Sequence, residues 1–254
     1  MSATMLPPSG DVPERPGGAA GQSGGAAGRH AAVPAASVTC DASGMEEIHR
    51  MFRAGFAEGP DLVAAVSAGD VAHAGVVADH LALLSTGLHA HHEGEDSALW
   101  DKLEQRAPAC AAHVARMKSQ HAEMLIYLDV LDEVLPAWRA SASPTDAARV
   151  HGALDGVNAA LAVHLGDEEA NIVPVMETTL TQEEVDWFGD HGRKATPKGA
   201  MFLQLGAILA AQPDGGVEWQ HKHLPAPVRV IWRVVGKRKY LANRAALEGT
   251  GARR

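Results

Sequence analysis

The sequence predicts an all-α protein built as an up-down-up-down four-helix bundle, and three observations support this prediction. Aromatic residues make up 4% of the 254 residues, and no segment alternates apolar and polar residues as a strand does. Four long segments instead repeat apolar residues at helical spacing. Short connections join them at about residues 106–110 and 139–145, which is typical of antiparallel neighbours in a bundle.

Each of the first two helical segments carries a histidine within its apolar stripe. The stripe of segment one reads Met45, His49, Phe52 and Phe56. We expect Gly59-Pro60 to end or kink this helix, because proline removes a backbone donor. Segment two runs from about residue 70 to residue 105. Its stripe reads Leu84, Leu88, His91, Glu95 and Leu99.

The last two helical segments repeat this feature. Segment three runs from about residue 108 to residue 135, and its stripe reads Val114, Met117, His121, Leu125 (or Met124) and Leu128. Segment four starts near Pro144-Thr145, and its stripe reads Val150, Leu154, Val157, Leu161, His164, Glu168 and Val175. A histidine therefore lies on the inward face of every predicted bundle helix.

Composition divides the chain into three regions. Residues 1–44 are rich in Gly, Ala, Pro and Ser, and such a segment buries too little apolar surface to offset its ordering entropy, so we expect a disordered arm. Residues 45–180 hold the four helical segments, with 8 Lys/Arg against 21 Asp/Glu. Residues 181–254 hold 12 against 7 and are expected to form a small helical extension. The acidic middle region argues against nucleic acid as a partner.

Neither a transmembrane segment nor a disulfide framework is expected. The longest apolar run, Met201–Ala211, is too short to span a bilayer and contains Gln204. No signal-peptide pattern opens the chain, and Cys40 and Cys110 have no paired spacing. We therefore predict a reducing, cytoplasmic location.

The four histidines are predicted to share one layer of the bundle. Counted from the connecting turns at about 1.5 Å per residue, they lie at the same level within roughly one helical turn. In segments two and four a glutamate follows the histidine four positions later, and residues i and i+4 lie one above the other on a helix face. The alternative is a set of ordinary core histidines with outward-facing acids, which requires four coincidences of face and depth.

This layer points to a metal site. Six buried ionisable groups are costly unless they are paired or bound to metal. Imidazole and carboxylate donors suit Fe, Mn or Zn, and the scarcity of cysteine argues against a thiolate site. Bundles that offer Glu and His from facing helices commonly hold two metals bridged by carboxylates.

The motifs HHEGED (residues 91–96), QHAE (residues 120–123) and HLGDEE (residues 164–169) resemble those of the hemerythrin-like, or HHE cation-binding, domain family. The resemblance covers about residues 45–180. It implies a non-haem centre of two iron ions with an oxo or hydroxo bridge, able to bind O2 or related small molecules. Mn and Zn are also compatible with these donors.

Carried over position by position, the resemblance implies six metal ligands. They are His49, His91, Glu95, His121, His164 and Glu168, with the two glutamates as bridges. The family's oxygen carriers have two histidines four positions apart on helix three, and here Met117 occupies the first position. His92, Glu169 or water could complete the set, although for Glu169 we favour a partner that orients an imidazole N–H, or an exposed side chain. One missing imidazole would leave an open position, which favours reactivity or sensing over reversible O2 carriage.

The leading hypothesis is therefore a diiron protein that binds or responds to O2, NO or peroxide. Peroxide breakdown would be its enzymatic form, but no nucleophile or nucleotide motif is visible, so no enzyme class is assigned. One alternative is an iron-storing or iron-responsive interaction module that acts through the basic C-terminal helix. Another is a bundle with a structural metal only.

The C-terminal extension is predicted to consist of further helices. One begins with a capping box formed by Thr181 and Glu184, and the next begins at Thr196-Pro197. In the stretch VRVIWRVVGKRK (residues 228–239), cations surround an apolar face. This stretch could dock on a membrane surface or an acidic partner. We favour packing on the chain's own acidic bundle, because the opposite charge is already present there.

Overall fold

A computed structural model describes residues 37–249, which form helices and no strand. The all-α class is thus confirmed for this range, whereas the predicted arm up to residue 36 lies outside it. The long helices are α1 (Gly44–Ala65), α2 (Val71–Ala98), α4 (Ala111–Ser141) and α5 (Pro144–Asn171). The short helices beside them are α3 (Trp100–Arg106), a 3-10 turn (Pro108–Cys110) and α6 (Val173–Thr179).

The four long helices contact one another in a ring. Both α1 and α4 contact α2 and α5. Their inward faces build two apolar clusters. The first cluster contains Phe52, Leu88, Met124 and Leu161, and the second contains Met45, Leu99, Met117 and Ile172. At the ambiguous position of segment three, Met124 is buried and Leu125 is 45% exposed.

The predicted end of α1 at Gly59-Pro60 is wrong, because the helix continues through Pro60 to Ala65. The alternative of a kink there stays a prediction. Proline has no backbone N–H, so the carbonyl of Phe56, four residues earlier, loses its helical donor. The side-chain amide of Asn158 on α5 donates to that carbonyl at 3.0 Å. A tertiary contact thus satisfies the group that proline leaves free, and the helix persists. Helix α4 likewise continues through Pro136 to Ser141, beyond the predicted end near residue 135.

The extension forms five further helices in the described range. They are α7 (Gln182–Ala195), α8 (Met201–Ala210), α9 (Val217–His223), α10 (Ala226–Ile231) and α11 (Lys237–Leu247), with a π turn (Trp232–Gly236) joining the last two. The predicted capping box of Thr181 and Glu184 is confirmed. The predicted helix start at Thr196-Pro197 is wrong, because α8 begins at Met201.

Residues just before α1 lie along α6. The backbone N–H of Thr39 donates to the carbonyl of Glu177 at 2.7 Å, and the Thr39 hydroxyl donates to that of Leu180 at 2.6 Å. Cys40 and Ala42 are buried in the second apolar cluster. The last residues of the region expected to be an arm therefore contribute to the core in this structure.

Helices α2 and α3 together, Val71–Arg106, contain a window that is long and apolar enough to cross a membrane by length and composition. The buried core helix of a soluble protein passes the same test. Here this stretch places His92 and Glu95 among the buried residues. The expectation that no segment spans a membrane stays a prediction.

Candidate metal centre

A polar layer separates the two apolar clusters. Every long helix contributes to it at the point where its stripe passes from one cluster to the other. The side chains of His49, Glu95, His164 and Glu168 are fully buried, and His92 and His121 are 7% and 5% exposed. The structure therefore brings the predicted histidines and glutamates together, and it adds His92 to them.

One half of this layer consists of His49, His91, Glu95 and Glu168. Each offers one ligand atom, and these atoms lie within 4.8 Å of one another. The Nε2 atoms of His49 and His91 are 3.1 Å apart. His91 Nε2 lies 3.2 Å from Glu95 Oε1, and His49 Nε2 lies 3.3 Å from Glu168 Oε2. Two imidazoles and two carboxylates thus converge on one point.

The other half consists of His92, Glu95, His121 and His164, whose ligand atoms also lie within 4.8 Å of one another. His121 Nε2 lies 3.3 Å from Glu95 Oε2. His164 Nε2 is 3.7 Å from Glu168 Oε2. Glu95 belongs to both halves and presents a different oxygen to each.

The converging atoms lack partners among the described residues. Both carboxylate oxygens of Glu95 and of Glu168, and the Nε2 atoms of His92, His121 and His164, are buried without a hydrogen bond. A buried polar atom without a partner costs free energy, and an ionised one costs more. A bound cation would satisfy all of these atoms together.

Burial and crowding shift the pKa of five of these groups toward the neutral form. Burial raises the pKa of Glu95 to about 8, and the nearby carboxyl of Glu168 only partly opposes this effect. Burial and the charge of Glu95 raise the pKa of Glu168 well above its ordinary value. Burial and neighbouring imidazoles lower the pKa of His164 to about 3 and hold those of His91 and His92 well below the ordinary value. Neutral imidazole is the form that ligates metal.

Outer hydrogen bonds orient three of the imidazoles. The Nδ1 atoms of His49, His121 and His164 each face an acceptor on another residue. These contacts are His49 to Glu169 at 2.9 Å, His121 to Asp96 at 2.8 Å and His164 to the side-chain oxygen of Gln120 at 3.2 Å. A proton held on Nδ1 leaves the Nε2 lone pair free to point into the layer, as in histidine metal sites.

The two residues expected to complete the ligand set differ in their placement. His92 lies in the layer, stacked on His121. Glu169 lies outside it. Its carboxylate accepts a hydrogen bond from His49 Nδ1, and it accepts two more from Nη1 and Nη2 of Arg53, at 2.7 and 3.0 Å. Burial acts to raise the pKa of Glu169, but the bonds from His49 and Arg53 outweigh it and lower the pKa to about 2. The sequence did not predict the roles of Gln120 and Arg53. Their proximity in sequence to His121 and His49 is the feature that could have pointed to them.

The donor set fits a transition metal of the predicted kind. Five imidazoles and two carboxylates form the layer, and such nitrogen and oxygen donors suit Fe, Mn or Zn. A family model, the hemerythrin HHE cation-binding domain, matches residues 41–176, more than half of the chain. The chain belongs to this family. Searches among curated proteins and among solved structures gave no match.

Membership of the hemerythrin HHE family agrees with the geometry. The matched residues 41–176 include every member of the polar layer. The family implies metal binding, typically of iron, and the histidine and glutamate clusters of this hemerythrin HHE domain could hold the metal. Residues beyond 176, which form α7 to α11, lie outside the matched region.

Proposed function

We propose that the chain is a non-haem diiron protein that binds or responds to O2, NO or peroxide. The observation that carries this proposal is the position of Glu95, whose two oxygens face two different groups of histidines. A carboxylate shared by two donor groups is the arrangement by which helical bundles hold a pair of metals.

The ligands would divide unequally between the two ions. His49 and His91 would hold one, and His92, His121 and His164 the other, with Glu95 and Glu168 as bridges. A fifth imidazole, His92, would supply the donor that is missing at Met117. The ion held by two imidazoles would have fewer protein donors than the other, so an open coordination position would lie on that ion. Bound iron would supply Lewis-acid and redox chemistry at that position.

The protein residues around the layer keep water out and hold the imidazoles in place. The two apolar clusters close the layer from both ends, and Leu88, Leu99 and Trp100 are fully buried. A dry, shaped surrounding restricts entry to small molecules and controls the properties of a metal site. These features support a small diatomic or peroxide ligand.

We further propose an up-down-up-down topology for the four long helices. Along α1 the chain passes from the second apolar cluster at Met45 to the first at Phe52. Along α2 it passes the opposite way, from Leu88 to Leu99. Helix α4 repeats the order of α1, and α5 repeats the order of α2. This alternation supports antiparallel neighbours, as short connections require.

Metal analysis combined with an optical spectrum of the iron-loaded full chain tests the diiron proposal. We expect two iron ions per chain and charge-transfer bands that shift when azide or NO is added. A colourless protein that retains one zinc ion per chain and no iron would overturn the proposal in favour of a structural metal.

A peroxide assay then distinguishes response from turnover. Loss of peroxide that requires bound iron would make peroxide breakdown the activity of the site. Spectral change without peroxide loss would support a binding or sensing role. A spectrum that none of the three small molecules alters would contradict an open position.

A further inference from the structure

Helices α10 and α11 and the π turn between them form one continuous helical segment, Ala226–Leu247, whose inner face is closely packed. Trp232, Gly236 and Tyr240 recur every four residues, and the wider π turn keeps them on one side. A Cβ atom on Gly236 would meet Phe202 of α8 at 2.7 Å, and one on Gly206 of α8 would collide with Tyr240. The two glycines therefore permit a close approach that fixes the segment against α8.

An ion pair also ties this segment to α1. The guanidinium of Arg244 donates to both carboxylate oxygens of Glu58, at 2.6 and 2.8 Å. Arg244 lies beyond the stretch of residues 228–239 for which packing on the acidic bundle was expected, so that expectation stays a prediction. Because the inner face is held at both α8 and α1, the opposite face has a defined orientation.

The outer face is apolar and exposed. Its exposed aliphatic residues are Val228 (38%), Val230 (54%), Ile231 (50%), Val234 (70%), Val235 (41%) and Leu241 (53%). Val230 and Val234 lie four residues apart and project from the same side as Arg238. Exposed aliphatic side chains concentrated on one face indicate an interaction surface.

Cations share this face and lack carboxylate partners. Residues 219–247 contain no Asp or Glu. Arg233, Lys237 and Arg238 are exposed, and none forms an ion pair with a described residue, whereas Lys239 lies over the ring of Phe202 on α8. A contrasting patch on α4, with Ile126 and Val130 exposed, is bordered by Asp129 and Glu133. Of these two patches in the described residues, the C-terminal one combines exposed aliphatic side chains with positive charge.

We propose that the outer face of the segment Ala226–Leu247 docks on an anionic lipid surface. Aliphatic side chains would enter the boundary between headgroups and acyl chains, while the flanking cations lie among the phosphates. An acidic protein fits less well, because its charges would pair with the cations but leave exposed aliphatic side chains such as Val230 and Val234 without an apolar environment. The proposal does not depend on the metal site.

Co-sedimentation of the full chain with lipid vesicles tests the proposal. We expect binding to vesicles of equal parts phosphatidylglycerol and phosphatidylcholine, little binding to phosphatidylcholine alone, and weaker binding as salt rises. The variant Lys237→Gln/Arg238→Gln should weaken binding about fivefold for each cation removed.

A matched pair of variants tests the aliphatic part. Val230→Glu/Val234→Glu should abolish vesicle binding, whereas Ile126→Glu/Val130→Glu, which makes the same change on α4, should leave it intact. Circular dichroism and metal content should be unchanged in both. Equal binding by both double variants, or no binding of the parent chain to anionic vesicles, would overturn the proposal. Lipid-free self-association lost only in Val230→Glu/Val234→Glu would instead assign the face to a second copy.

Discussion

The imidazole rings of His92 and His121 stack in the polar layer, with centroids 4.1 Å apart and planes inclined by 22°. His92 of α2 is therefore held beside His121 of α4. If the site holds two metals as proposed, His92→Ala should lower the affinity for one of them by more than the roughly 10–100-fold typical of changes outside the ligand set. Metal content after dialysis measures this effect.

A double variant tests whether a histidine at position 117 can replace His92. Met117 is buried one helical turn before His121, so Met117→His places an imidazole on the same face. We expect His92→Ala/Met117→His to recover part of the lost metal content. Full retention of both metals in His92→Ala alone would show that His92 is not a ligand.

The buried carboxylate of Glu95 should destabilise the folded protein when no metal is bound. Its buried oxygens have no hydrogen-bond partner among the described residues, so Glu95→Leu should raise the free energy of unfolding of the metal-free protein by about 1–2 kcal/mol. The same variant should lose the increase in Tm that metal gives the parent protein.

Thermal unfolding with EDTA and with iron measures both effects of Glu95→Leu. Glu93→Leu is the matched control on the same helix, because Glu93 is exposed. The control should keep the metal-dependent increase in Tm. If Glu95→Leu kept that increase too, Glu95 would not bridge two metals.

Glu169 should tune the site without binding metal. It accepts from His49 Nδ1 and is paired with Arg53, so Glu169→Gln should weaken metal binding by about 10–100-fold while the number of metals bound at saturation stays the same. Competition with a coloured chelator measures the affinity. Asp155→Asn, an exposed change on the same helix, should have no effect, and a lower saturating stoichiometry in Glu169→Gln would indicate a ligand.

The attachment of the extension should weaken in acid. Burial acts to raise the pKa of Glu58, but the bonds from His80 and Arg244 outweigh it and lower the pKa from 4.5 to about 2. A carboxyl with a lowered pKa in the folded state stabilises it above the unfolded pKa, and the contribution disappears as pH falls from about 4.5 to 2.

Urea unfolding of the parent chain and of Glu58→Gln tests this pH dependence. The variant should be less stable by about 1–2 kcal/mol at pH 7, after allowance for solvent screening. The difference between the two proteins should shrink as the pH approaches the folded pKa of about 2. A difference that stays constant from pH 7 into this range would rule out the ionised carboxylate as its cause.

The contact between Asn158 and the Phe56 carbonyl should matter only because residue 60 is proline. Asn158→Ala removes the donor and should cost about 1 kcal/mol of unfolding free energy. Pro60→Ala restores a backbone N–H at position 60, so Asn158→Ala should cost less in that background. Chemical unfolding of the two single variants and the double variant measures the coupling. Equal costs in both backgrounds would contradict this account of α1.

Local periodicity was sufficient to predict the helices and most of the polar layer. The spacing of His91 to Glu95 and of His164 to Glu168 holds within one helix, where 3.6 residues per turn determine which side chains share a face. The same regularity placed the layer at one depth. Local pattern also predicted that Gly59-Pro60 ends or kinks α1. The end was wrong because a sequence pattern contains no information about a hydrogen-bond donor on another helix.

The sequence by itself thus determined the all-α class, the inward stripes and the histidine and glutamate pairs of a metal-binding family. Only the tertiary structure decided that His92 faces inward beside His91, that Glu169 lies outside the layer with Arg53, and that Gln120 orients His164. Each of these depends on the rotation and separation of neighbouring helices. Such quantities arise from packing between distant parts of the chain, and short-range sequence patterns do not contain them.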